Sequence, residues 1–227
     1  MPRILACTTR PGDWQAFLAD PAKHWRTGYS AKALAHSWEA ADGFPPEICL
    51  VLSTAADGAL DSPVPFLGIP EWRTELPGGD RPSQTDLLVI GRAAGGPFTI
   101  AVEGKMSESF GPTIGEWRRD GSTGKAVRWS FLCSTLGLPE DVRPDLRYQL
   151  FHRSVSAILA ARQFHATIAV LLVHSFSQNQ TGWRDYATFL QLFGADAIPN
   201  SLDRLGAMGP VRFYAGWVAG NLRFTLE

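Results

Sequence analysis

Two acidic residues and a lysine interrupt a pair of otherwise apolar segments in TDLLVIGRAAGGPFTIAVEGK, residues 85–105. Carboxylates are uncommon in apolar strands unless a partner compensates for their burial. A Gly-rich turn at residues 93–96 predicts a β-hairpin in which Asp86 and Glu103 face each other, with Cβ atoms ~5 Å apart. Lys105 is then on the same face as Glu103, because side chains alternate along a strand.

This arrangement of charges predicts a site for hydrolysis of a phosphodiester. Two carboxylates at that separation repel each other, and a divalent cation between them removes the repulsion. Mg²⁺ commonly takes one or two protein carboxylates and completes its shell with water and phosphate oxygens. A neighbouring lysine orients the attacking water and offsets negative charge that develops on the phosphate. The alternative is a cluster of salt bridges on a half-exposed sheet face, which contributes little to stability.

Helical and strand patterns alternate around this hairpin. Apolar residues at helical spacing predict a helix over residues 30–42. The β-branched run TIAVLLVHSF predicts a strand buried on both faces. Together these patterns describe one α/β domain over residues 1–227, with a mixed central sheet flanked by helices. The predicted central elements are a helix at 30–42, strands near Val64–Ile69, Thr85–Gly91 and Phe98–Met106, helices at about 123–136 and Leu146–Gln163, and a strand at Thr167–Phe176.

The remaining segments give weaker predictions. Arg3–Thr8 has the composition of a short strand, and Ile48–Ser53 is rich in residues that favour strands. Trp183–Phe193 is an amphipathic helix that ends at Gly194. The C-terminal segment VRFYAGWVAGNLRFTLE is expected to form a hairpin that turns at Gly220–Asn221.

The sequence around the charged residues resembles a known superfamily. Asp86, a short separation and then Glu103-Gly104-Lys105 resemble the D…(D/E)xK signature of the PD-(D/E)XK nucleases. The order of predicted elements over residues 30–177 also resembles the restriction-endonuclease-like αβββαβ core of that superfamily. The flanking parts of the chain would be extensions packed on this core. The resemblance implies a nuclease that depends on Mg²⁺ or Mn²⁺ and acts on DNA.

The resemblance also implies roles for the residues that match the signature. Asp86 and Glu103 would be ligands of the metal ion, and the carbonyl of Gly104 would be a third ligand. Lys105 would be the catalytic lysine.

Two further positions match residues that some members carry. An acid from the first helix often joins the metal site, and Glu39 occupies that place as a fourth candidate ligand. A glutamine on the second helix faces the site in some members, and Gln149 corresponds to it. The alternative interpretation is a solvated helix residue for Glu39 and a hydrogen-bonding residue on the helix face for Gln149. The pattern departs from the superfamily at Arg153, where the fuller motif has tyrosine, and at Thr85, where a proline usually precedes the aspartate.

Composition limits the classes of function. The chain has 227 residues, of which 45% are hydrophobic, and a formal net charge of −1. This balance argues against a strongly basic surface for non-specific nucleic-acid binding, but it does not exclude a local basic groove. The three cysteines form no CxxC pair, which favours a reducing cytoplasm. No segment approaches the ~20 apolar residues of a membrane span.

A non-catalytic binding or assembly module with the same fold is the alternative function. The near-neutral charge supports it, as does the aromatic C-terminal segment, which is a candidate surface for a homodimer. GSTGKA at residues 121–126 is not a phosphate-binding loop, because Arg119 stands where the first glycine is needed. The sequence has no GxSxG, HExxH or GxGxxG motif, which removes other common enzyme classes.

Overall fold

The computed structural model describes residues 8–226, in which helices pack on both faces of a six-stranded sheet. The strand predicted at Arg3–Thr8 lies outside the described residues except for Thr8. The helices are α1 (Pro21–His24), α2 (Ser30–Glu39), α3 (Pro46–Leu52), α4 (Ile114–Arg118), α5 (Thr123–Leu136), α6 (Tyr148–Gln163) and α7 (Trp183–Leu190). The strands are β1 (Val64–Thr74), β2 (Ser83–Ala93), β3 (Gly96–Lys105), β4 (Ile168–Ser175), β5 (Leu202–Met208) and β6 (Val211–Ala219). Short 3₁₀ helices cover Pro11–Ala16, Gln191–Phe193 and Leu222–Thr225.

The sheet is mixed, and its strand order is β1-β2-β3-β4-β6-β5. The first three strands form an antiparallel meander. β4 runs parallel to both β3 and β6, so α6 provides the crossover connection that a parallel pair requires. β5 returns antiparallel to β6 at the far edge. The predicted α/β class with a mixed central sheet is confirmed, and the sheet continues beyond residues 30–177 through β5 and β6.

The central hairpin has the predicted register. Leu87 pairs with Val102, and Ala93 pairs with Gly96 at the turn. In an antiparallel ladder a slip of one residue moves every side chain to the opposite face. The alternation of apolar side chains between two buried layers therefore holds this register.

Separate hydrophobic clusters cover the two faces of the sheet. Leu34, Ile48 and Val102 belong to the cluster beneath α2 and α3. Phe151 of α6 and Val173 of β4 belong to the cluster on the other face, beneath α5, α6 and α7. Every residue of β4 is buried, as its continuous β-branched pattern predicts. Among residues 8–226, no helix is long and apolar enough to cross a membrane.

The strand-rich prediction for Ile48–Ser53 is wrong, because this segment belongs to α3. Pro46 occupies the start of the helix, where its missing N–H has no cost, and Glu47 lies in the first turn. The buried residues Ile48, Val51 and Leu52 have the i, i+3, i+4 spacing of one helix face. The start signals and this spacing outweigh β-propensity in so short a run.

A C-terminal hairpin exists, but it is formed by β5 and β6, and the hairpin predicted within residues 211–227 with a turn at Gly220–Asn221 is wrong because Leu222–Thr225 is a 3₁₀ helix. Met208 pairs with Val211, so the chain turns through Gly209 and Pro210, and Gly209 has the left-handed φ of +68°. The aromatic side chains of β6 are buried inside the chain: Phe213, Tyr214 and Trp217. They are therefore not an exposed dimer surface, and the homodimer stays a prediction without a located interface.

Candidate active site

The predicted charged residues line one cavity of about 730 Å³ at the end of the sheet where β3 finishes. Asp86 comes from β2, and Glu103, Gly104 and Lys105 come from β3. Gln149 comes from the first turn of α6. The structure thus brings together five of the six residues that the sequence analysis selected.

The end of the β2–β3 ladder places Asp86 at the cavity. Leu87 and Val102 are the last directly paired residues at this end. The Asp86 carboxylate oxygen Oδ2 accepts a hydrogen bond from the backbone N–H of Gly104 at 2.8 Å. The other oxygen, Oδ1, lies 3.9 Å from a guanidinium nitrogen of Arg153, and 24% of the side chain is exposed. The Asp86 side chain therefore accepts the hydrogen bond of a β3 backbone N–H at the end of the ladder, and its Oδ1 atom lies beside the cavity.

Glu103 is buried, and both of its carboxylate oxygens accept hydrogen bonds. Oε1 accepts from Lys105 Nζ and from Gln149 Nε2, each at 2.7 Å. Oε2 accepts from Arg153 Nε at 2.6 Å. Burial alone raises the pKa of Glu103, but the charges of Arg153 and Lys105 outweigh burial and lower the pKa to about 2. Glu103 is therefore the ionised centre of the cluster.

Glu71 of β1 is a third acid at this cavity, and the sequence analysis missed it. Its neighbours Pro70 and Trp72 pair with Leu87 and Thr85, so Glu71 stands across from Asp86 in the strand register. Its φ of +54° lies in the left-handed region, which residues other than glycine rarely adopt. The three acids Glu71, Asp86 and Glu103 therefore form a row across β1, β2 and β3, which we call the acidic row.

The carboxylates of the acidic row do not share their neighbouring cations equally. Lys105 and Arg153 both bond Glu103, whereas Glu71 is acted on by the charges of Arg153 and Arg73. Burial raises the pKa of Asp86 well above its usual value, and the charges of Glu103 and Glu71 raise it further. Burial also raises the pKa of Glu71, to about 7. Asp86 and Glu71 therefore keep their protons to a higher pH than ordinary carboxyl groups do.

The raised pKa of Glu71 predicts a pH-dependent stability. The native carboxyl holds its proton more tightly than the unfolded one, so this stabilisation is complete below about pH 4.5 and is lost as the pH rises through 7. Glu71→Gln, which removes the titration, is expected to raise the free energy of unfolding at pH 8 by about 1–3 kcal/mol. Urea denaturation at pH 4.5 and pH 8 measures the difference.

The matched control for this prediction is Glu75→Gln, which changes an exposed acid outside the cavity. We expect the difference in the free energy of unfolding between Glu71→Gln and wild type to decrease as the pH falls. An advantage of equal size at both pH values would contradict the assignment of the effect to the charge of Glu71.

Asp86 and Glu103 of the acidic row are the carboxylates that the sequence analysis predicts as ligands of a divalent cation. Within residues 8–226, no three acidic, His or Cys side chains are already close enough together to hold one ion. Mg²⁺ commonly binds with one or two protein carboxylates. An ion at Glu103 would have to displace a hydrogen bond from Lys105, Gln149 or Arg153. Its other ligands would be water and the oxygens of a phosphate.

Arg153 has a larger part in the site than the sequence indicated. It follows Gln149 by four residues, so both side chains lie on the same face of α6. Its side chain is 9% exposed and also donates from Nη1 to Ser83 Oγ at 3.1 Å. The same hydroxyl lies 2.8 Å from Nδ1 of His152. The spacing of four residues from Gln149 could have indicated that Arg153 faces the site. The sequence analysis noted Arg153 only as a departure from the superfamily motif.

Glu39 is not part of this cavity, so its prediction as a metal ligand is corrected. Its Oε1 accepts hydrogen bonds from Thr8 Oγ1 at 2.6 Å and from Trp14 Nε1 at 2.7 Å, and it lines a different cavity. Ser30, at the other end of α2, lines the acidic cavity. Nine helical steps separate them, which correspond to roughly 14 Å along a helix. The correct helix is present, but its opposite end faces the site.

The family of the chain is established by sequence comparison. Residues 7–222 match the family described as "Domain of unknown function (DUF6946)", and the chain belongs to this family. No curated protein and no solved structure matches the chain.

Proposed function

We propose that this protein is a metal-dependent phosphodiester hydrolase of the nuclease type. The observation that carries the proposal is the convergence of Asp86, Glu103, Lys105 and Gln149 from three elements in one solvent-reaching cavity. The resemblance to PD-(D/E)XK nucleases selects these residues as the site. DNA is the substrate that this resemblance favours.

Each side chain has a distinct role in this proposal. Asp86 and Glu103 would hold Mg²⁺ or Mn²⁺, which supplies Lewis-acid activation of water and of the phosphate. Lys105 Nζ uses two N–H groups within the described chain, on Glu103 and on Gln149 at 3.2 Å. Its third N–H remains for a water or a phosphate oxygen. The Gln149 amide bonds both Lys105 and Glu103, so it orients the lysine rather than reacting.

Cleavage assays with and without metal test the proposal. Wild type should cleave single-stranded or plasmid DNA with Mg²⁺ or Mn²⁺ and should stop when EDTA is added. Asp86→Asn, which keeps the shape of the side chain and removes its charge, should reduce cleavage at least tenfold, because one ligand charge is lost. Asp120→Asn, an exposed surface change, is the control. Cleavage that persists in EDTA, or equal rates for both variants, would refute the proposal.

A non-catalytic binding module is the second candidate, and one observation favours it. Both oxygens of Glu103 are already bonded by Lys105, Gln149 and Arg153, so the buried acid is satisfied without an ion. Titration calorimetry separates the two functions. Millimolar Mg²⁺ or Mn²⁺ that gives no heat and no rise in melting temperature favours the module.

We propose a cytoplasmic location, which the state of two of the three cysteines supports. Cys49 and Cys133 are free, and the two cysteines are far apart in sequence. Reduced cysteines are the usual state in the cytoplasm. We therefore assign the proposed activity to the cytoplasm.

A further inference from the structure

The acidic cavity has an aromatic wall next to the proposed catalytic residues. Trp117 of α4 stacks on Tyr148 of α6 with ring centroids 3.8 Å apart and an interplanar angle of 11°. His152 follows, with its ring centroid 4.8 Å from that of Tyr148. All three rings line the cavity, and Tyr148 precedes Gln149 in the chain. A column of rings therefore begins one residue from the proposed site.

A second aromatic surface comes from another part of the chain. Tyr29, which immediately precedes α2, is 42% exposed and lines the same cavity. Trp117 is only partly buried. The Nζ of Lys125 lies 5.7 Å from the Trp117 ring centroid, at a distance typical of a cation–π contact. Tyr29 therefore offers a flat ligand an exposed ring, and Trp117 offers the face that Tyr148 leaves uncovered, once the flexible Lys125 side chain moves aside.

The volume of the cavity limits the size of the substrate. About 730 Å³ falls within the ~300–1,000 Å³ of pockets that enclose small molecules. The walls come from the segment before α2 on one side and from the segment that contains Phe110 and Trp117 on another. An enclosure of this kind admits one or two nucleotides, whereas a duplex needs an open groove along its length.

The charge of the cavity leads to the same conclusion. Proteins that bind a long polyanion carry an excess of Lys and Arg along its path. Among the described residues that line this cavity, three Lys and Arg side chains face four carboxylates, because Lys23 and Glu108 join the cluster. The lining therefore has no positive excess. A substrate with few phosphates fits this balance, and a continuous duplex does not.

We propose that the cavity binds an unpaired nucleotide segment, with a base against the face of Trp117 that Tyr148 does not cover and the adjacent phosphate beside Lys105. This inference rests on the proposed function and names its substrate class. Single strands, single-stranded ends and short oligonucleotides are the expected substrates. Stacking on rings accepts any base, so little sequence preference is expected.

Fluorescence anisotropy in EDTA tests binding separately from cleavage. The probes are fluorescein-labelled dT8, rU8 and a blunt eight-base-pair duplex. Wild type should bind dT8 at least tenfold more tightly than the duplex, and rU8 shows whether the unpaired segment is DNA or RNA. Trp117→Ala should weaken dT8 binding about tenfold, and Trp117→Phe should restore most of it. Phe66→Ala, an exposed ring outside this cavity, is the control.

Two results would overturn the inference: equal affinity for the duplex and dT8, or unchanged binding of dT8 by folded Trp117→Ala. These outcomes are distinguishable from failure of the proposed function. If dT8 binds as expected but is not cleaved with Mg²⁺ or Mn²⁺, the cavity is a nucleotide-binding site and the hydrolase proposal fails. If duplex plasmid is cleaved at the same rate by wild type and Trp117→Ala, the hydrolase stands and the stacking site fails.

Discussion

Lys105→Met is expected to slow metal-dependent phosphodiester cleavage by about 10²–10³-fold, the usual effect of losing one preorganised donor to developing negative charge. Lys105 is only 3% exposed and lies in the wall of the cavity. Glu103, Gln149 and the Phe110 ring fix its ammonium group, the ring centroid being 4.8 Å away. Because its position is fixed before substrate binds, little reorganisation accompanies the reaction. Single-turnover cleavage of a labelled oligonucleotide measures the loss.

Structural damage is separated from the catalytic effect by two further proteins. Arg143→Met removes an exposed cation, paired with Asp145 on the surface and outside the cavity, and should retain the wild-type rate. Lys105→Cys treated with 2-bromoethylamine regains an amine at nearly the original length and should recover at least a tenth of the activity. Wild type treated in the same way controls for reaction at Cys49. A folded Lys105→Met protein with the wild-type rate would remove Lys105 from the mechanism.

Local pattern was enough to predict the central hairpin and its charged residues. The period of two in the segments around Leu87 and Val102, together with the glycines of the turn, leaves one register that buries the apolar side chains. That register brings Asp86 and Glu103 to adjacent ends of two strands. The resemblance to the PD-(D/E)XK superfamily, rather than local pattern, selected Gln149, which lines the same cavity.

The residues that could not be predicted depend on pairings distant in sequence. Glu71 joins the acidic row only because β1 pairs with β2, and its surroundings in the sequence are rich in turn-forming residues. A charged residue such as Arg153 is usually exposed, and its burial depends on the packing of α6 against β3. Glu39 shows the opposite limit, because helical pattern located α2 but did not indicate which of its ends approaches the sheet edge.

Arg153→Met is expected to destabilise the protein by about 3–5 kcal/mol, the cost of breaking a buried ion pair by removing one partner. Arg153 bonds Glu103 at 2.6 Å, and its charge opposes the burial of Asp86 and Glu71 as well. Without Arg153, Lys105 is the cation that still bonds the ionised Glu103. Urea denaturation at pH 7 measures the change in the free energy of unfolding.

Arg147→Met is the matched control, because Arg147 makes a similar ion pair with Asp185 at 2.9 Å, but the two side chains are 26% and 29% exposed. Partly exposed pairs contribute about 0–1 kcal/mol, so a much smaller loss is expected there. The double variant Arg153→Met with Glu103→Gln should recover part of the stability, since the unpaired carboxylate disappears with its partner. An additive double variant, or a loss at Arg153 no larger than that at Arg147, would show that Arg153 fills space in α6 without compensating the charge of the acidic row.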